Sequence, residues 1–273
     1  MRLVRFLDQQ SQVQYGKDLG GEMAEQLVGD PLACWPDEPK LTGQIVPIAK
    51  RLSPIEPVNI FCIGMNYKAH VAEMGGALPK RPVVFMKPTT AVQHPGQPVR
   101  IPKCEYDGPE TDQEAELAVV IGKPARDVSV GDAMDYVFGY TCANDVSARW
   151  WQKKGSGGQF IRGKGFDTFC PLGPVLVTHG DSEDEISDSQ ALRVRGYLGD
   201  DCLQDGNTND MIFSVAELVA FLSEDTMLVP GTVILTGTPP GVGWARDPKR
   251  LMQPGMESVI EIEGIGRLVN PVL

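Results

Sequence analysis

Thr111-Asp112-Gln113-Glu114-Ala115-Glu116-Leu117-Ala118-Val119-Val120-Ile121-Gly122 decides how this chain is read. From Leu117 to Ile121 the residues are apolar and largely β-branched, which predicts a buried strand. Side chains on a strand alternate between faces, so Glu114 and Glu116 project from the same side. Two carboxylates at the mouth of an apolar strand do not both stay ionised unless something positive sits between them. A second apolar run, Val137 to Ala143, leads about one βα unit later into Asp145, which would bring a third carboxylate to the same rim. Three oxygen donors with room left for water or substrate suit Mg²⁺, which seldom gives up all its waters. An E-x-E pattern is also an ordinary pair of surface charges at a strand end, and spacing alone leaves both readings open.

Around this stretch the bulk properties narrow the classes. A chain of 273 residues, 42% hydrophobic and 22% charged, has the balance of a globular protein with a substantial core. A net charge of -11 argues against nucleic acid or an anionic membrane as partner, since both require basic patches. No apolar run approaches membrane-spanning length, and the start Met1 to Asp8 lacks the apolar core of a secretory signal. Together these predict a cytoplasmic protein, or a mitochondrial one if it is eukaryotic and processed. The six cysteines form no C-x-x-C pair, and the three histidines stand near no cysteine pair. Reduced thiols are expected, and neither a disulfide framework nor a zinc site.

Upstream, residues 1–55 read as a small appended unit with a strand at Leu3 to Leu7 and a helix at Glu22 to Val28. The body, residues 56–273, opens on the strand-like Asn59 to Ile63 and continues through Pro82 to Met86. The Pro-rich stretch Pro88 to Pro109 excludes helix. Downstream, Ser129 to Val137 predicts a helix with Asp132 near its start, and Gly155 to Gly165 a flexible loop. Leu192 to Leu198 predicts a half-exposed strand, and Ser258 to Leu268 a hairpin. Ser214-Val215-Ala216-Glu217 is a capping box before an apolar run, the clearest helix signal in the chain. Many short strands and few helices favour a strand-rich α+β fold over a βαβ array.

Three further segments carry chemistry. Asn66 to Gly76 predicts a two-turn helix, with Asn66 as N-cap and Gly75 as stop. There His70 and Glu73 share a face, forming an acid/base pair or a simple surface pair. Gly158 to Gly165 approaches a phosphate-binding loop, but Gly165 stands where Ser or Thr is required and no strand precedes it. Lys164 within it reads as a solvated lysine more readily than as a ligand contact. Thr236-Gly237-Thr238-Pro239-Pro240-Gly241, after an apolar run, makes a tight turn whose N–H groups can hold a carboxylate. It carries no dinucleotide fingerprint.

From about residue 57 onward these motifs together resemble the fumarylacetoacetate hydrolase superfamily. They are Cys62-Ile63-Gly64-Met65-Asn66-Tyr67 with His70 and Glu73; Glu114 to Gly122; Asn144-Asp145-Val146-Ser147-Ala148-Arg149; Gly163 to Thr168 with Pro171 to Pro174; and Thr236 to Pro239. The resemblance is nearest to the branch of acylpyruvate hydrolases, oxaloacetate decarboxylases and oxaloacetate tautomerases. It implies a mixed β-roll or β-sandwich catalytic domain with a small N-terminal domain, assembled as a homodimer. It implies Mg²⁺, with Mn²⁺ as substitute, on Glu114, Glu116 and Asp145. His70, Glu73 and Lys164 are then catalytic, with His70 and Glu73 on a lid, and Gln152, Thr238 and Arg149 contact a small 2-oxo acid. Trp150 departs from the pattern, since S-A-R is commonly followed by an acid.

The activity first expected on this basis is hydrolysis of a C–C bond in an acylpyruvate, through an enolate stabilised by the ion. Keto–enol tautomerisation of oxaloacetate, isomerisation of a 2-hydroxy-diene-dioate, and decarboxylation of oxaloacetate pass through the same enolate and remain alternatives. A scaffold that only binds 2-oxo acids is the non-enzymatic alternative.

Overall fold

The apolar run at the centre of the chain forms a strand over Ala115–Ile121 in which all seven residues are buried. Leu117, Val119 and Ile121 enter one core cluster, Ala118 and Val120 another. With core on both faces the strand has no polar side, which is why its sequence shows no alternation. In this computed structural model, which describes residues 1–104 and 110–273, the strand lies inside a large mixed sheet. Val137–Asn144 flanks it on one side and Thr232–Leu235 on the other, both antiparallel. Asn59–Gly64 follows in parallel to Thr232–Leu235, and Val83–Lys87 ends the sheet.

On the other flank Val137–Asn144 pairs with Cys170–Thr178, which pairs with Arg2–Leu7. Val13–Asp18, Met23–Leu27 and Leu41–Pro47 extend the same sheet outward. A four-stranded antiparallel sheet, from Asp201–Asn207 through Arg193–Leu198 and Glu257–Ile262 to Gly266–Pro271, contributes Val194, Ile260, Ile262 and Leu268 to the cluster holding Leu117 and Val119. The helix Val215–Ser223 adds Leu218, Val219 and Leu222 to that cluster. Its capping box forms as expected, the Glu217 N–H donating to Ser214 Oγ and the Ser214 N–H to Glu217 Oε2. The strand-rich α+β expectation is met, with the 258–268 hairpin present as Glu257–Ile262 and Gly266–Pro271.

Local expectations fail where tertiary contacts override them. The helix expected over Glu22 to Val28 is the strand Met23–Leu27, because Gly20 and Gly21, both at positive φ, turn the chain back on Val13–Asp18. The Ser129 to Val137 helix shrinks to a 3₁₀ turn, Ala133–Tyr136, and Asp132 accepts from the Ser129 hydroxyl instead of capping it. Asn66 does not cap its helix; Tyr67 precedes Lys68–Glu73, while the Asn66 amide donates to Phe213 O and Thr236 O. Gly75 does follow the helix at φ +68. The glycine-rich loop is partly helical, with a π-turn Trp151–Gly155 and a single turn Ile161–Lys164. Residues 105–109, the end of the Pro-rich stretch, lie outside the described residues. All six cysteines are free, and no described helix is long and apolar enough to cross a membrane.

Candidate active site

The two acidic spots meet because their strands are antiparallel, joined by a 3₁₀ turn and not by a βα crossover. Ala115 stands opposite Asn144, so the start of one strand meets the end of the other. The Asp145 N–H donates to Glu114 O at 2.9 Å, tying the two rims together. Glu114, Glu116 and Asp145 are all buried, and one carboxylate oxygen of each lies within 4.8 Å of the others. Glu116 sits on the same strand face as Ala118 and Val120, as alternation requires.

Cations compensate the cluster. Lys164 Nζ reaches Glu114 Oε2 at 2.8 Å, Asp145 Oδ2 at 2.6 Å and Ser147 Oγ at 2.8 Å. The solvated lysine expected from sequence is in fact 2% exposed. The cause is Gly163: a Cβ there would fall 2.6 Å from Gln152 N, so only glycine lets the Ile161–Lys164 turn press against the π-turn and aim Lys164 inward. Arg149 donates through Nη1 to Glu114 Oε1 at 2.6 Å and to Gln152 Oε1 at 2.9 Å, and through Nε and Nη2 to Asp112 Oδ2. Four of its five N–H donors are thus committed to protein, where it fixes Glu114 and Gln152.

Two members of the site were absent from the sequence reading. Lys87, buried, lies 2.6 Å from Asp145 Oδ1 as an ion pair, yet it aims its hydrogen bonds at the Val146 and Lys164 carbonyls. Asp145 Oδ1 therefore receives no hydrogen bond. Asp112 gathers Arg149 and the Gly243 and Trp244 N–H groups. The signal for Lys87 was a lysine closing an apolar run before Pro88; Asp112 carried no signal beyond its closeness to Glu114.

Titration follows from this packing. Burial opposes ionisation of Glu114, but Lys164 and Arg149 outweigh it and hold its carboxyl well below the usual range. Burial, then Asp145 and Glu114, push the Glu116 carboxyl well above that range. Burial works against the Lys164 ammonium, yet Asp145 and Glu114 raise its pKa. Four buried carboxyls (Asp112, Glu114, Glu116, Asp145) face three buried cations (Lys87, Arg149, Lys164), leaving one negative charge when all are ionised. A proton held on Glu116 and an unbonded Asp145 oxygen are what a hard divalent ion would replace and take up. The residues fit a metal ion.

Glu114, Glu116, Asp145, Arg149 and Lys164 line a cavity of about 350 Å³ together with His70, Gln152, Lys153, Thr238 and the apolar Ile63, Met65, Met74, Phe85, Phe160 and Val242. His70 Nδ1 lies 3.0 Å from Glu73 Oε2, and Glu73 Oε1 accepts from the Gly241 N–H at 2.8 Å. The Thr236–Gly241 turn does hold carboxylates, and they are the protein's own: Glu116 accepts from Gly237 N–H at 2.8 Å, and Glu73 from Gly241 N–H. Thr238 Oγ1 donates to Ala115 O and accepts from Gln204.

The family model "Fumarylacetoacetate (FAA) hydrolase C-terminal" matches residues 59–273. The chain belongs to the fumarylacetoacetate hydrolase family. Within it, "Oxaloacetate tautomerase fahd2, mitochondrial" of Xenopus laevis is 47% identical over 223 residues, 81% of this chain and 68% of that protein. The crystal structure of 2-hydroxyhepta-2,4-diene-1,7-dioate isomerase from Mycobacterium marinum has a TM-score of 0.83 at 37% identity, covering 100% of this chain and 98% of that one. That of 5-carboxymethyl-2-hydroxymuconate delta-isomerase from Mycobacterium smegmatis has a TM-score of 0.84 at 36% identity, covering 100% and 99%. Tautomerase and isomerase relatives favour the alternatives given above over acylpyruvate hydrolysis, which they do not support specifically.

Proposed function

We propose that this chain isomerises small enolisable 2-oxo acids, with keto–enol tautomerisation of oxaloacetate as the leading activity. One observation carries the reading: a histidine braced by a carboxylate lines the same cavity as the buried three-carboxylate cluster, in a chain 47% identical to a protein named oxaloacetate tautomerase. Mg²⁺ or Mn²⁺ held by Glu114, Glu116 and Asp145 would supply an electrophile that favours the ionised oxygen of the enolised acid.

The side chains then divide the work. Glu73 holds His70 at Nδ1, which leaves Nε2 to take the C3 proton and return it to the 2-oxo oxygen. Lys164 places a positive charge beside the carboxylate rim, where an enol oxygen gains negative charge. Arg149 fixes the Gln152 amide by donating to its oxygen, so the amide nitrogen is the end presented to a ligand. Tautomerisation needs one proton carrier and no positioned attacking water, which this set satisfies.

Enol-oxaloacetate given to purified protein with Mg²⁺ decides the matter. Loss of enol absorbance without pyruvate release, abolished by a chelator, is the expected result. Pyruvate with CO₂ would make it a decarboxylase, and pyruvate with an acid from an acylpyruvate would restore the hydrolase.

A further inference from the structure

The helix that carries His70 lacks the means to start itself. At six residues, Lys68–Glu73 is too short to persist without outside support. Its N-cap position is Tyr67, whose side chain makes no capping hydrogen bond, and its first turn holds no acid. The Ala69 N–H stands at the second helical position, one of those that an N-cap side chain ordinarily serves. It donates instead to Asp210 Oδ2 at 2.9 Å, on a residue 141 positions further along the chain. Asp210 ends the 3₁₀ turn Thr208–Asp210, and that turn is pinned on both sides. The Thr208 N–H donates to Leu192 O, and the Ile212 and Phe213 N–H groups donate to Asn66 O and Asn66 Oδ1.

We propose that Asp210 is a positioning residue for His70: it caps the helix from across the fold and so holds the imidazole at the cavity. The inference rests on the proton-carrier role given to His70 above and adds what keeps that carrier in place. Two tethers then bracket the helix, Asp210 at its start and the Glu73 bond to the Gly241 N–H at its end. Packing contributes less, because only His70 and Val71 of the six residues are buried. Lys68, Ala69, Ala72 and Glu73 face outward. The negative charge of Asp210 also suits the positive end of the helix dipole, where the helix itself offers only Lys68. Without the cap the helix spends less time with His70 at the cavity, and turnover falls. The carboxylate cluster stands on the rim of the sheet, so its hold on an ion is independent of that helix. Asp210 itself does not line the cavity, and it acts through His70 alone.

The test compares Asp210→Ala, Asp210→Asn and His70→Ala with the wild type, each as the full chain. Three quantities are measured: enol-oxaloacetate kinetics with Mg²⁺, Mn²⁺ affinity by calorimetry, and amide hydrogen exchange. Asp210→Ala is expected to lower kcat about tenfold and to leave KM and metal affinity within about twofold. Exchange of the amides of residues 68–74 should quicken about tenfold, with the rest of the chain unchanged. Asp210→Asn keeps an oxygen that accepts from the Ala69 N–H, so it is expected to recover most of both losses. In Asp210→Ala, a wild-type kcat, unchanged exchange in residues 68–74 or an equal fall in metal affinity overturns the proposal. So does an Asn variant as impaired as the Ala variant. A wild-type kcat in His70→Ala overturns the proton-carrier reading instead, and the exchange of residues 68–74 then decides the tether by itself.

Discussion

The carboxylate end of the cavity and its histidine end are built in opposite ways. Glu114, Asp145, Lys164, Lys87, Arg149 and Asp112 are buried and cross-linked by short ion pairs, gathered where Ala115–Ile121 begins and Val137–Asn144 ends in the large sheet. His70 and Glu73 stand on a six-residue helix, Lys68–Glu73, followed by Met74 and Gly75, and the Glu73–Gly241 bond ties that pair to the facing turn. The acids must hold their places against one another's repulsion, which takes rigid strands and interleaved cations. In the reaction proposed above His70 carries the proton, and a short helix followed by a glycine permits it to approach and withdraw. One end is held by charge balance, the other by a latch.

Experiments that remove a charge from the rigid end should cost both fold and activity. Lys164→Met leaves Glu114 and Asp145 short of a buried partner, so a loss of about 3–5 kcal/mol in denaturant unfolding is expected, with kcat/KM down by about 10³-fold or more. A variant with near wild-type stability would show that the cluster is not held by this lysine. At the latch end the two effects should separate. His70→Ala is expected to lower kcat by about 10²–10⁴-fold while metal affinity and melting temperature stay at wild-type values. A parallel loss of metal binding would erase the distinction between the two ends.

Glu73→Gln probes the latch more gently. The amide oxygen can still accept from Gly241 N–H, but the carboxylate that orients His70 at Nδ1 is gone, so a fall of about 10–100-fold in kcat is expected. The smallest effect concerns pH. In metal-free protein the Glu116 carboxyl is pushed above its ordinary range by burial and by Asp145 and Glu114. Between the ordinary and the raised value the folded state keeps a proton that the unfolded chain has lost, so stability falls as pH rises through that window. A decline of about 2 °C per pH unit in melting temperature is expected above the ordinary carboxylate range, flattened by Mg²⁺ and absent in Glu116→Gln. A slope unchanged by both would remove Glu116 from the metal reading.

Much of the site was legible because its motifs are local. The E-x-E pattern before an apolar run placed Glu114 and Glu116 on one face, and the i,i+3 spacing placed His70 against Glu73. Lys164 was misjudged because its surroundings in sequence are glycines, and its burial comes from a contact between Gly163 and the Gln152 backbone. Asp112 and Lys87 escaped for a related reason: each matters through partners about 30 to 130 residues away, Arg149 and Trp244 for one, Asp145 for the other. The missed strand at Met23–Leu27 shows the same limit, since hairpin pairing and not propensity settled it.

By itself the sequence determined the residue types, the buried strand, the shared face of two acids and the capped helix at Val215–Ser223, because period and capping act over a few residues. Only the tertiary structure decided that Asp145 joins those acids and that three cations sit among them. Those facts depend on which strand ends meet and on the low-dielectric space they enclose, and charge acts through space without regard to separation along the chain.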